Sequence, residues 1–120
     1  FASLGKLVNG KIAKGDAFDS EDHLGAILNA KTMARKMLLE EGFTLSIRNK
    51  NYKYIAPILP TQTFPGWIKN KKVEGGVSKD PQLFDLSNDL EEQKDIASKN
   101  KNLVAKFQSQ IDSIVSISKK

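Results

Sequence analysis

The sequence predicts an α/β (α+β) domain: a small, mainly antiparallel sheet with a C-terminal amphipathic helix packed on one face. Three stretches carry this prediction. Phe43-Thr44-Leu45-Ser46-Ile47-Arg48 alternates strictly, with Phe43, Leu45 and Ile47 on one face, which is the period of a strand. Asn49-Lys50-Asn51 is a turn-forming cluster, and Tyr52-Lys53-Tyr54-Ile55 follows as a second strand closed by Pro57, so the two form an antiparallel hairpin. From Asn102 to Ile117, Leu103, Phe107, Ile111, Ile114 and Val115 share one helical stripe. Burying each such side chain is worth roughly 1.5–3 kcal/mol, enough for five to dock the helix firmly.

The remaining elements are shorter. Phe1, Leu4, Leu7 and Val8 have helical spacing, weakened by Gly5 and ended at Asn9-Gly10 by a left-handed cap signal. Ile12 to Gly15 reads as loop. Asp19 or Ser20 can cap a short helix with apolar positions Leu24, Ile27 and Leu28, stopping near Asn29. Met37-Leu38-Leu39-Glu40-Glu41 fits helix or strand equally well, and Gly42 breaks it. Pro57 to Pro81 holds all four prolines and has no clear period, so it reads as a long irregular loop, a class often functional. Leu83-Phe84-Asp85-Leu86 is a short apolar run bounded by turn formers, as a mostly buried strand is. Asp89 with Glu92 three residues on is a capping-box pattern, and the C-terminal helix begins soon after.

Composition bounds the function. The 120 residues fit one domain of ordinary size, and 39% hydrophobic with 28% charged residues favours a folded core over disorder. No apolar run approaches the ~20 residues needed to cross a bilayer. The absence of cysteine removes disulfides, thiolate metal sites and cysteine nucleophiles together. The net charge of +5 suits nucleic acid, anionic glycans or an acidic membrane surface, but with 19 basic and 14 acidic residues interspersed it reads first as a merely soluble surface. The chain opens at Phe1 without Met, which reads as a fragment or a mature product.

Several segments, in order, resemble the end of the type I sulfatases (the arylsulfatase family). That family typically reads Leu-Tyr-Asp-Leu, a polar turn with Asp-Pro-x-Glu, then a short Asn/Asp-Leu-Ala stretch. Here these stand as Leu83-Phe84-Asp85-Leu86, Asn88-Asp89-Leu90-Glu91-Glu92 and Asp95-Ile96-Ala97, with Phe84 for the tyrosine and Leu90 for the proline. The hairpin Leu45-Ser46-Ile47-Arg48 and Tyr52-Lys53-Tyr54-Ile55 matches the family's hairpin, and Asp19-Ser20 with Leu24 to Leu28 matches its aspartate-serine pair and Leu-rich turn.

The resemblance implies that Met37–Glu41 is a strand. The sheet then has about four strands: Met37–Glu41, Phe43–Arg48, Tyr52–Pro57 and Gln82–Leu86. It also implies that residues 1–120 form a single domain, the sulfatase C-terminal subdomain, with 1–8 the tail of the catalytic domain's last helix. The partners implied are that catalytic domain and a sulfated small molecule or glycan, with no membrane and no nucleic acid, in a periplasmic or secreted setting. Calcium and formylglycine are expected in the missing catalytic domain and no cofactor in this chain. Formylglycine arises within a Cys/Ser-x-Pro-x-Arg motif, and the chain has neither cysteine nor a serine so followed, so it is not expected to hydrolyse sulfate esters alone. Cut from its parent, the subdomain is expected to expose an apolar docking face, with Phe1, Leu4 and Leu7 as candidates.

Individual residues point less far. His23 is the single histidine, and catalysis needs a positioned constellation, so a surface or capping role is expected. Asp85, Asp89, Glu91 and Glu92 lack the alternate spacing and glycine of a calcium loop, and read as turn and cap residues. Trp67 with Lys69, Lys71 and Lys72 is the best surface-binding candidate: the ring can stack on a sugar or base and the ammonium groups can meet sulfate or phosphate, the alternative being a Trp that plugs against the sheet with its lysines merely solvated. Trp67 and Lys69 are the substrate-binding candidates. The alternative function is a basic module for anionic glycan or nucleic acid, whose binding would weaken steeply with salt.

Overall fold

The computed structural model describes residues 1–13, 15–17, 20–29, 35–63, 66, 76 and 78–118. They divide into two units, Phe1–Lys36 and Met37–Lys120.

In the second unit four strands form one antiparallel sheet in the order β1 (Leu38–Glu41), β2 (Leu45–Arg48), β3 (Tyr52–Ile55) and β4 (Gln82–Asp85). Pattern alone left Met37–Glu41 open, and the strand implied by the resemblance forms there. Register aligns Leu39, Ile47, Tyr54 and Leu83 in a single row across all four strands. Because strand side chains alternate between faces, this row lies on one side of the sheet. Ile47 and Leu83 are 0% exposed and Tyr54 is 1% exposed, so the row is the centre of the core. Phe84 and Ile55, on the opposite face by the same alternation, are also buried.

The predicted second strand begins two residues late. Gly42, Phe43 and Thr44 form the loop between β1 and β2, tied by the Gly42 N–H to the Thr44 carbonyl at 3.1 Å. Pairing Glu41 with Leu45 uses those three residues as the hairpin connection, which alternation alone does not reveal. The β2–β3 turn is built by Asn49, whose Oδ1 accepts from the N–H groups of Asn51 at 2.9 Å and Tyr52 at 2.8 Å. The Ala56 N–H still donates to the Leu45 carbonyl, and Pro57, with no N–H, ends the ladder.

A 3₁₀ turn, Ala97–Lys99, leads into a long helix, Lys101–Ser118. Phe107 and Ile111 are each 2% exposed against the central row, and the Phe107 ring stacks on Tyr54 at 6.1 Å between centroids. Leu103, Val104 and Val115 flank them. Ile114, placed on the buried stripe by sequence, sits at its edge and is 38% exposed. β4 is an edge strand, and its outer edge is closed by the returning chain. The Leu83 N–H donates to Asp95 Oδ1 at 3.0 Å, and the Ile96 N–H donates to the Leu83 carbonyl at 2.8 Å.

The first unit holds α1 (Ala2–Leu7) and α2 (Leu24–Leu28). The long C-terminal helix is α3 in chain order. α1 ends as predicted. Asn9 is left-handed at φ 52°, Gly10 N–H reaches the Gly5 carbonyl at 2.8 Å, and Asn9 N–H reaches Lys6 at 3.2 Å, a Schellman motif. Gly5 weakens the helix but makes room for Ile12, whose Cδ1 lies 2.8 Å from where a Cβ would stand. The expected cap of α2 is exchanged: Ser20 Oγ accepts from Ala2 N–H of α1 at 2.9 Å, and Asp22 Oδ1 accepts from Leu24 N–H at 2.9 Å. Asp19 lies outside the described residues.

Candidate functional site

Where α3 crosses the sheet, a polar network interrupts the core. Tyr54 is placed there by the central row, so its ring packs inward and its hydroxyl reaches α3. The hydroxyl donates to Gln108 Oε1 at 2.7 Å, and Gln108 Nε2 donates to Asp112 Oδ1 at 2.8 Å. Gln108 and Asp112 are one helical turn apart, so they present a single polar edge. Burial, and secondarily the Asp112 charge, push the Tyr54 phenol above its ordinary pKa. A phenol held neutral donates a hydrogen bond well and is a poor nucleophile or base.

Gln108 and Pro57 border two open grooves. One, about 690 Å³, is lined by Tyr54, Asp80, Asp95, Ser98 and Lys101 among others. The other, about 700 Å³, has Leu39, Phe43, Leu59 and Ile111 in its wall, and both grooves are mostly apolar. Asp95 is committed to the backbone, accepting from the N–H groups of Leu83 and Ala97 through Oδ1.

Asp85, at the end of β4, and Asp89 beyond it are engaged in turns. Asp85 Oδ1 accepts from Ser87 N–H at 3.0 Å and Oδ2 from the Asn88 amide at 2.9 Å. Asp89 accepts from Gln93 N–H at 3.0 Å and Lys94 N–H at 2.7 Å, and these two donors hold its carboxyl below the ordinary carboxylate range. The capping box does not form. No helix starts at Asp89, and the Glu92 carboxylate turns away to Lys53, at 2.9 and 2.8 Å. Among the described residues no group of three or more His, Asp or Glu side chains is placed to hold a metal ion. The chain also has no cysteine and no Ser-x-Pro-x-Arg motif, so it holds no residue in the sequence setting from which formylglycine arises.

His23 occupies the N-cap position of α2 without a side-chain capping bond. Its backbone N–H donates to Ser3 Oγ at 2.7 Å. Its imidazole is 19% exposed, with Nε2 3.3 Å from the Glu21 carboxylate. The carboxylate beside it is that of its near neighbour Glu21. Trp67, Lys69, Lys71 and Lys72 lie outside the described residues. Sequence reading missed the Tyr54–Gln108–Asp112 network. Its one local signal is Gln108 four residues before Asp112 beside an apolar stripe. No helix among the described residues is long and apolar enough to cross a membrane.

No family model matches the chain. It is 29% identical over 116 residues to an N-acetylgalactosamine-6-O-sulfatase of Bacteroides thetaiotaomicron, which covers 95% of this chain and 22% of the relative. The chain thus spans about a fifth of the length of the curated relative it matches. A solved sulfatase structure, from work on the metabolism of multiple glycosaminoglycans by Bacteroides thetaiotaomicron, superposes with a TM-score of 0.81 at 29% identity. That match covers 94% of this chain and 23% of the other. The crystal structure of Ps i-CgsB shares the fold, with a TM-score of 0.61 at 17% identity over 93% of this chain and 22% of its own. By sequence and by fold, the chain is similar to the C-terminal subdomain of the type I sulfatases.

Proposed function

We propose that the chain is the C-terminal subdomain of a sulfatase, a sulfuric ester hydrolase, that it buttresses the catalytic domain and helps shape the substrate cleft, and that it is inactive alone. One observation carries the reading: sequence likeness runs over 95% of the chain to a sulfatase about a fifth of whose length it spans, in the fold of a solved sulfatase. The calcium ion and the formylglycine belong, on this reading, to the catalytic domain. The substrate is a sulfated glycan or small molecule, with a 6-O-sulfated N-acetylgalactosamine the first to try because the relative carries that name. Cleft contacts fall to Trp67 and Lys69, one to stack on a sugar ring and one to meet an anion. The setting is periplasmic or secreted.

The test is kinetic, on the full-length protein encoded by the natural reading frame. Trp67→Ala and Lys69→Ala are expected to raise KM for the sulfated glycan with kcat little changed, as loss of uniform binding does. Wild-type KM in both variants would remove these residues from the cleft. Absence of sulfatase activity from the full-length protein on every sulfated substrate tried would remove the reading itself.

A further inference from the structure

We propose that the groove between the β1–β2 loop and the C-terminal half of α3 binds a segment of another protein in which a Lys or Arg stands among large apolar side chains. The groove belongs wholly to the sheet unit, and its role is separate from sulfate ester hydrolysis.

The groove, about 700 Å³, is of the size of a ligand site. It is built from three directions: Phe43 from the β1–β2 loop, Leu59 from the segment after β3, and Ile114 beside buried Ile111 on α3. These three are 37%, 60% and 38% exposed. Among the described residues of the sheet unit, the remaining exposed large apolar side chains are Leu90 and Ile117. Exposed apolar surface is thus gathered in one place more than it is scattered, which marks an interaction site. The walls are fixed before any ligand arrives. Thr44 Oγ1 donates to the Pro57 carbonyl at 3.3 Å, tying the loop to the segment after β3, and the Leu59 N–H donates to Gln62 Oε1 at 2.9 Å. A preformed wall spares the complex the entropy of ordering it.

Charge chooses the occupant. The chain carries 19 Lys and Arg against 14 Asp and Glu, yet the charged residues lining this groove, among those described, are Glu41 and Asp112. Glu40, next to Glu41, is answered by Arg48 at 3.5 Å. Among the described residues no cation answers Glu41 or Asp112, and Asp112 accepts instead from the Gln108 amide at 2.8 Å. An apolar groove with two unanswered carboxylates suits a ligand with an apolar body and a cation, which a Lys or Arg stem set among apolar side chains supplies. The same carboxylates repel nucleic acid, sulfated glycans and anionic membrane surfaces. An open groove, unlike an enclosed cavity, lets its occupant run on past both ends, as a protein segment must.

The experiment is isothermal titration of the full-length protein with acetyl-Leu-Lys-Phe-Leu-amide. Saturable binding is expected, weakening as salt is added. Acetyl-Leu-Glu-Phe-Leu-amide should show no binding over the same concentrations, a control that needs no variant to fold. Glu41→Gln with Asp112→Asn is expected to weaken the lysine peptide about fivefold, as loss of two exposed charge pairs does. Ile117→Ala, outside the groove, should leave binding unchanged. Failure of the lysine peptide to bind overturns the inference, as does equal binding of the glutamate peptide, or an affinity that the double variant leaves at the wild-type value. Hexylamine binding as tightly as the peptide would make the groove a small-amine site, and a dimer that Leu59→Asp dissociates would give it to a second copy of the chain. Either result overturns the protein partner.

Discussion

Glu92, in a left-handed backbone conformation at φ 56°, reaches across 39 residues of chain to place both carboxylate oxygens within 2.9 Å of the Lys53 ammonium. The corner after β4 is thereby pinned to the middle of β3. Both side chains are partly buried, 22% and 30% exposed, so water screens the pair less than it screens a surface pair.

Removing either end should cost more than an exposed ion pair and less than a fully buried one. Lys53→Met and Glu92→Gln are each expected to destabilise the protein by about 1–2 kcal/mol in urea unfolding. The double variant should cost less than the sum. Strict additivity would show that the pair contributes nothing of its own.

The Tyr54 hydroxyl predicts both a cost and a pH dependence. Tyr54→Phe keeps the stacking on Phe107 but leaves Gln108 Oε1 without its donor, a loss of about 1 kcal/mol. The folded phenol pKa is raised above the unfolded 10.0, so the native state retains the proton more strongly. That contribution is complete below pH 10.0 and is lost as pH rises through the folded value. The stability difference between wild type and Tyr54→Phe should therefore shrink as pH rises past 10.0, measured by unfolding at each pH. A constant difference would contradict the assignment.

Asp89 should titrate below 3.8 in an NMR pH series, because the Gln93 and Lys94 N–H groups favour its charged form. A lowered carboxylate contributes above its unfolded pKa and loses that contribution as pH falls through the folded one. Asp89→Ala should speed exchange of the Gln93 and Lys94 amides at neutral pH. Unchanged exchange would mean that the turn holds without the carboxylate.

The core row gives a contrast between two leucines. Leu83→Ala, at 0% exposure in the centre of the row, should cost about 2–5 kcal/mol. Leu90→Ala, at 82% exposure, should stay within about 0.5 kcal/mol. Comparable losses in thermal or urea unfolding would place the core elsewhere.

What could be read in the sequence was local and periodic. Ile47 and Tyr54 announced themselves by strand alternation, and Phe107 and Ile111 by helical spacing, so the sheet and its covering helix were legible. Asn9-Gly10 predicted its cap because the left-handed conformation favours those residues. Phe43 was misplaced because a three-residue hairpin loop continues the alternating pattern into the turn. Partners across long separations could not be paired from local pattern. Lys53 with Glu92 and Tyr54 with Gln108 are 39 and 54 residues apart, and the exchange of Ser20 onto α1 depends on two short segments meeting. The capping-box pattern at Asp89 was real in spelling, but its glutamate gained a stronger partner in Lys53.

The central claim is that this chain is one part of a sulfatase, and the most direct measurement is to sequence the natural reading frame upstream of Phe1. A Cys/Ser-x-Pro-x-Arg motif there, with aspartates ahead of it to hold a metal ion, is the predicted result. A start codon shortly before Phe1 with no such motif would contradict the claim, and the alternative of a free-standing basic module, tested by salt titration of glycan and nucleic-acid binding, would take its place.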